Sequence, residues 1–183
     1  MVDLLFVDIE SSGLDPERHS LIELAAARTS GDLREDKQAF EALVQFSREG
    51  AEPKALEIAG YREDLWRAKA VPLRVALANF HALADGPGEW AIVGHNITFD
   101  WMFLVAACRA EKLAIPKPRY TVDTLSMAWA LKHAGLVESL SLDKLSARYG
   151  IAQKGAHRAM GDVRRTMILY CRLLGLPVPM RLE

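Results

Sequence analysis

Along this chain, short and nearly continuous apolar runs are followed by stretches whose apolar positions recur with a helical period. Asp3 to Ile9 is rich in Val, Leu, Phe and Ile and is short. It runs into the turn-forming Ser11-Ser12-Gly13 and Asp15-Pro16, which predicts a buried central strand. Leu21 to Thr29 and Ala39 to Phe46 fit two further strands, joined through a hairpin turn at Ser30-Gly31-Asp32. The Ala-rich segment LIELAAART would favour helix by propensity alone, and its strand neighbours argue for a strand. From Ala51 to about Ala84 the pattern turns helical. Pro53 and Pro72 fall in first turns and Gly60 and Gly86 act as breaks, which suits three helical pieces. The apolar run Trp90 to Val93, set between Gly88 and Gly94, predicts a fourth strand that leads directly into His95-Asn96.

Downstream, Trp101, Leu104, Val105 and Cys108 mark one buried helix face, and Tyr120 to Val122 offers a brief fifth strand. Helices then fit Thr124 to His133, Ser141 to Tyr149 and Arg158 to Leu174, the last with Val163, Thr166, Met167, Tyr170 and Leu174 along one stripe. A three-strand meander followed by two strands alternating with helices describes an α/β fold with a five-stranded mixed sheet flanked by helices. At 183 residues, half of them hydrophobic, the chain is expected to form a single domain spanning residues 1–183.

Charge changes this picture little. Lys and Arg total 23 against 24 for Asp and Glu, and a net charge of −1 neither implies nor excludes a polyanionic partner. Cys108 and Cys171 are too few for a disulfide framework and lack the spacing of a zinc site. The start MVDLLFVDIE does not read as a secretory signal, and no apolar run is long enough to span a bilayer, so a cytoplasmic protein is expected.

Three acidic segments could carry chemistry. Asp8 and Glu10 end the first strand two residues apart, so both point to one face with Cα atoms roughly 6 to 7 Å apart. Carboxylates so placed can share a hard cation, although acids at a strand end are more often simply solvated. Asp100 follows VGHNITF near the first turn of a helix, where favourable interaction with the helix dipole would also explain it. His157 and Asp162 open the last helix. As regular helix, five steps would swing them about 140° apart, so they converge only if His157 lies on the preceding loop.

Taken together and in this order, FVDIESSGLDP, VGHNITFD and HRAMGDV resemble the three exonuclease motifs of the DEDDh branch of the DnaQ-like 3′ to 5′ exonucleases, which have an RNase H-like fold. The resemblance runs from about Leu4 to Leu174. It implies that Asp8, Glu10, Asp100 and Asp162 hold two divalent cations, Mg²⁺ or Mn²⁺, and that His157 is the general base. It also implies that Ser11, Ser12, Gly13 and Leu14 hold the terminal nucleotide, with Asn96 and Phe99 at the cleft.

Where relatives commonly carry Thr, this chain has Ser11 and Ser12, and Ala59 stands where many have a histidine before the glycine. Asp123 is expected to be a helix N-cap rather than a fifth ligand. His19, His81 and His133 are expected at the surface or boundary, and His95 has no assigned role. Lys144, Arg148, Lys154, Arg158, Arg164 and Arg165 suit either a phosphate-attracting rim or solvated helix faces.

The expected activity is 3′ to 5′ hydrolysis of single-stranded DNA or RNA with a free 3′ end to mononucleotides. The alternative is a proofreading or accessory subunit acting mainly by binding a polymerase. Only nine residues follow Leu174, which disfavours a polymerase-binding tail. Neither the preferred sugar nor the oligomeric state follows from the sequence, and no membrane partner is expected.

Overall fold

The computed structural model describes residues 2–34, 36–153, 155 and 157–182, except for the side chain of residue 181. Three antiparallel strands come first: β1 (Asp3–Ser11), β2 (Leu21–Thr29) and β3 (Asp36–Leu43). Three helices follow, α1 (Pro53–Ile58), α2 (Glu63–Lys69) and α3 (Leu73–Ala84). Then come β4 (Trp90–Gly94), α4 (Ile97–Ala110), β5 (Tyr120–Asp123), α5 (Thr124–His133), α6 (Leu142–Arg148) and α7 (Ala159–Leu174). The sheet order is β3-β2-β1-β4-β5, with β4 parallel to both β1 and β5. This is the five-stranded mixed sheet expected of an RNase H-like fold.

Side-chain parity sorts the sheet into two apolar layers. Leu5, Val7 and Ile9 of β1, with Leu24, Ala26 and Ile92, face a cluster built from Leu77, Phe80, Phe103 and Leu104 of α3 and α4. Leu4 and Phe6 of β1, with Ala25, Ala27, Ala91 and Val93, face Val163, Met167 and Cys171 of α7. A sheet covered on both faces explains why β1, β2 and β4 are nearly continuous apolar runs. A smaller cluster of Ala128, Leu145, Ile151 and Leu169 ties α5 and α6 to the outer side of α7. Both cysteines are buried thiols outside any disulfide.

β3 and the start of α3 differ from the sequence expectation. β3 begins at Asp36 rather than Ala39 and ends at Leu43, because it is the sheet edge and its first residues are mostly exposed, leaving no apolar alternation to read. Beyond it, the Val44 N–H donates to the Ile22 carbonyl of β2 at 2.8 Å and Val44 forms an isolated bridge to Val71. α4 begins at Ile97, one residue after Asn96 turns the chain with a left-handed φ of 64°. Pro72 caps α3 from outside rather than opening its first turn, whereas Pro53 does open α1.

Candidate active site

The parity that sends Leu4 and Phe6 under α7 carries on to Asp8 and Glu10, which face the same side at the carboxyl end of β1. α7 lies across this face and brings Asp162 in its first turn above the two acids. One carboxylate oxygen from each of Asp8, Glu10 and Asp162 lies within 4.8 Å of the others. Oxygens on opposite sides of a Mg²⁺ ion would stand about 4.2 Å apart, so this donor set fits a small hard cation with little adjustment.

Asp100 arrives from the opposite layer. The β1–β4 ladder ends at Phe6 and Val93, and beyond it the Ile9 N–H donates to Asp100 Oδ1 at 2.9 Å. Ile9 stands between Asp8 and Glu10, so this bond sets the buried fourth carboxylate beside the pair. The tight trio does not include Asp100, which is fixed next to it from the start of α4.

So many acids in one place strain their ionisation. Burial, and after it the Asp100, Asp162, Glu10 and Glu23 carboxylates, raise the Asp8 carboxyl well above its ordinary value. Burial and then Asp162 and Glu23 push Glu10 up to about 8. Burial also raises Asp100, against the bond from Ile9, and raises Asp162, against the pull of Arg165. A cluster that resists its own charge is built to be neutralised by cations.

Asp162 is anchored by Arg165 one turn along α7, whose Nε and Nη2 donate to Oδ1 at 3.0 and 2.6 Å. Arg165 is buried and donates a third bond, from Nη1, to Asp143 Oδ1 of α6 at 2.6 Å. His157 lies on the loop before α7, in a left-handed conformation with φ 59°, as convergence with Asp162 requires. It is half-exposed, and its Nε2 lies 3.8 Å from Asp143 Oδ2.

Two devices hold that loop. A β-carbon on Gly161 would overlap the carbonyl of Gly155, so glycine at 161 lets the loop cross directly over the helix. Arg158 donates Nε to both oxygens of the fully buried Glu23 at 3.0 and 3.1 Å and Nη2 to Glu41 at 3.0 Å, which pins the loop to β2 and β3.

The Ser11–Leu14 turn spends its hydroxyls on itself. Ser11 Oγ donates to the Gly13 carbonyl at 2.7 Å, and Ser12 Oγ accepts from the Ser20 N–H at 2.8 Å. Leu14 is left 73% exposed at the tip. The His19 ring packs where a Gly13 side chain would lie, and its Nδ1 accepts from the Asp15 N–H at 3.0 Å. His19 is a boundary residue, as expected, and its ring braces this turn.

Asn96 is exposed at the start of α4, and Phe99 packs partly on the core with its ring 5.0 Å from that of Phe103. Ala59 is buried with Ile22, Leu43 and Trp66, so no polar group reaches the cleft from there. Asp123 is an N-cap as expected, accepting from Leu125 N at 3.1 Å and also from Asn96 N at 2.8 Å. His95 joins Thr124 Oγ1 and the Leu140 carbonyl, and burial lowers its pKa, so it acts as a neutral strut. Of the basic residues, Arg158 and Arg165 are committed to carboxylates, Lys144, Arg148 and Arg164 are exposed, and Lys154 lies outside the described residues.

A family model described as an exonuclease, RNase_T, matches residues 5–170. The chain belongs to the DnaQ-like 3′ to 5′ exonuclease family. Ribonuclease T of Marinobacter nauticus is 32% identical over 183 residues, covering 92% of this chain and 80% of the relative. DNA polymerase III PolC-type of Thermotoga maritima is 29% identical over 174 residues, covering 94% of this chain but 12% of that much longer protein. Among solved structures, E. coli exonuclease I in complex with a dT13 oligonucleotide superposes with a TM-score of 0.80 at 23% identity, covering 95% of this chain and 41% of the other. This last likeness supports the shared fold. The protein is accordingly a metal-dependent 3′ to 5′ exonuclease.

Asp8, Glu10, Asp100, Asp162 and His157 were marked by the sequence motifs, whereas Glu23, Asp143 and the bracing role of His19 were not. Glu23 carried a signal, since it shares parity with Ala25 and Ala27 and stands opposite Glu10 in the β1–β2 register. Asp143 carried none, because only the packing of α6 on α7 brings it to His157.

Proposed function

We propose that this exonuclease removes mononucleotides from the 3′ end of single-stranded nucleic acid, with Asp8, Glu10, Asp100 and Asp162 holding two Mg²⁺ or Mn²⁺ ions and His157 as general base. The observation that carries this reading is the convergence of Asp8, Glu10 and Asp162 oxygens within 4.8 Å, with Asp100 locked beside them by the Ile9 N–H. Divalent cations bound there would lower the pKa of the attacking water and neutralise charge on the departing 3′ oxygen.

The residues of the chain supply the rest. As the water oxygen bonds to phosphorus and the bond to the 3′ oxygen breaks, the water proton passes to the His157 imidazole. The Ser11–Leu14 turn presents backbone and the exposed Leu14 to the terminal nucleotide, and Leu14 wedges beside its base. A cleft between strand ends admits one strand, because a terminal nucleotide must leave any duplex to reach it. The likeness to Ribonuclease T over most of both chains supports RNA among the substrates, and the PolC-type likeness leaves DNA open. A mainly polymerase-binding role is not favoured, since the full set of acids and the histidine is present. We place the protein in the cytoplasm as one exonuclease domain; among the described residues no helix is long and apolar enough to cross a membrane.

The test is degradation of matched DNA and RNA oligonucleotides, labelled at one end or the other, with Mn²⁺ or with chelator. Mononucleotide release from a 3′-labelled single strand and a shortening ladder from a 5′-labelled one, both dependent on Mn²⁺, are expected. Release only from the 5′ end, or equal rates on blunt duplex and single strand, would refute the proposal.

A further inference from the structure

A half-exposed histidine on a loop is a poor general base unless something fixes its ring, because a base must sit within hydrogen-bond reach of the proton it takes. Asp143 is the side chain placed to do this. Its Oδ1 is held by the buried Arg165 at 2.6 Å, which fixes the carboxylate plane, and its Oδ2 faces His157 Nε2 at 3.8 Å. Arg165 in turn grips Asp162 Oδ1 with two donors at 2.6 and 3.0 Å. The chain His157, Asp143, Arg165, Asp162 therefore links the base to a metal-site acid through groups from α6 and α7.

We propose that Asp143 is a positioning residue for this reaction, orienting His157 through one oxygen and, through Arg165, holding Asp162 in its ligating orientation with the other. The proposal rests on the reading of His157 as general base and Asp162 as a metal ligand. With Nε2 turned toward Asp143, the ring presents Nδ1 to the attacking water, and the imidazolium formed on proton transfer faces a carboxylate. At 3.8 Å the contact is an ion-pair approach rather than a hydrogen bond, so it steers the ring and stabilises its charge without locking it. The α6 register that delivers Asp143 is itself fixed. Ser141 caps the helix by accepting from Lys144 N at 3.3 Å, and the adjoining Leu140 carbonyl is tied to His95 Nε2 at 2.8 Å.

On the Arg165 side every effect of removing the Asp143 charge runs the same way. Arg165 keeps an acceptor but loses its countercharge and so competes harder for Asp162, and the site loses one negative charge. Both weaken cation binding. Outer-sphere partners of metal ligands typically contribute roughly 10- to 100-fold in affinity or activity.

The decisive variant is Asp143→Asn, which keeps the shape of a partly exposed side chain and is expected to fold. Calorimetric titration of the protein with Mn²⁺ alone should show affinity reduced about 10-fold. His157→Ala should bind Mn²⁺ as the wild type does. At saturating Mn²⁺, where the affinity effect is removed, single-strand hydrolysis by Asp143→Asn should show kcat lowered about 10-fold with KM unchanged. The same substitution made in a His157→Ala background should cost nothing further. An unchanged kcat in Asp143→Asn beside a severe loss in His157→Ala would overturn the proposal and leave His157 as base. An equal cost of Asp143→Asn in both backgrounds, or unaltered Mn²⁺ affinity, would also overturn it. A near-normal rate in His157→Ala would overturn the assignment of the base and the proposal with it.

Discussion

Replacing Glu10 by Gln should stabilise the metal-free protein above neutral pH and leave it little changed in acid. Glu10 titrates near 4.5 when unfolded and near 8 when folded, so the folded state holds its proton more tightly. Between these values the unfolded chain binds fewer protons, and stability therefore falls as pH rises through the window. At about 1.36 kcal/mol per pKa unit the full effect is roughly 5 kcal/mol, and discounting by half for the water that reaches Glu10 leaves about 2 kcal/mol. Burial raises Asp8 and Asp100 as well, with the same sign. His95, whose pKa is lowered, acts oppositely but only below about 6.5, so it does not touch the upper part of the window.

Thermal unfolding in chelator at pH 5, 7 and 8.5 would read this difference. At pH 8.5 the variant should melt about 4 to 8 °C above the wild type, and at pH 5 the two should nearly coincide. Excess Mn²⁺ should reverse the order at pH 8.5, because a cation at about 100 times its Kd stabilises by about 2.7 kcal/mol and the variant has lost a ligand. A metal-free variant no more stable than wild type at pH 8.5 would refute the idea that mutual repulsion and burial strain this cluster. Equal Mn²⁺ stabilisation of the two proteins would refute Glu10 as a ligand.

Other outcomes follow from single contacts. Gly161→Ala must push back the Gly155 carbonyl and with it the His157 loop, so kcat should fall roughly 10- to 100-fold while Mn²⁺ affinity by calorimetry stays the same. Asp123→Ala removes the α5 cap and leaves the Asn96 N–H without its acceptor, costing about 1 to 2 kcal/mol in a melting experiment. Mn²⁺ affinity should be unaffected, whereas a loss would make Asp123 a ligand after all. His19→Ala removes the brace behind Gly13, and steady-state kinetics should show KM raised about 5-fold with kcat retained, the pattern of lost uniform binding.

The central strands were legible because a sheet covered on both faces needs apolar residues at both parities, and β1, β2 and β4 supply them. The edge strand β3 was misplaced by three residues, because an exposed strand carries mainly backbone pairing and little side-chain pattern. The clustered acids were legible as motifs, and strand parity explains why Asp8 and Glu10 meet α7 at all. Arg158 and Arg165 read as basic surface in one dimension. In three, long-range packing pairs Arg158 with Glu23 of β2 and Arg165 with Asp143 of α6, while Arg165 also grips Asp162 one turn back on α7. The bracing role of His19 was not legible for a similar reason: only the turn folding back on itself sets its ring against Gly13 and the Asp15 N–H.

In the proposed mechanism the carboxylates at the end of β1 hold the cations that drive hydrolysis. Asp8→Asn keeps the size of the side chain and removes one anionic ligand, and its rate on a 5′-labelled single strand at saturating Mn²⁺ tests the claim most directly. Loss of several kcal/mol of charge stabilisation should lower that rate by about a thousandfold or more, with the protein still folded. A rate within about threefold of the wild type, under 1 kcal/mol, would contradict it.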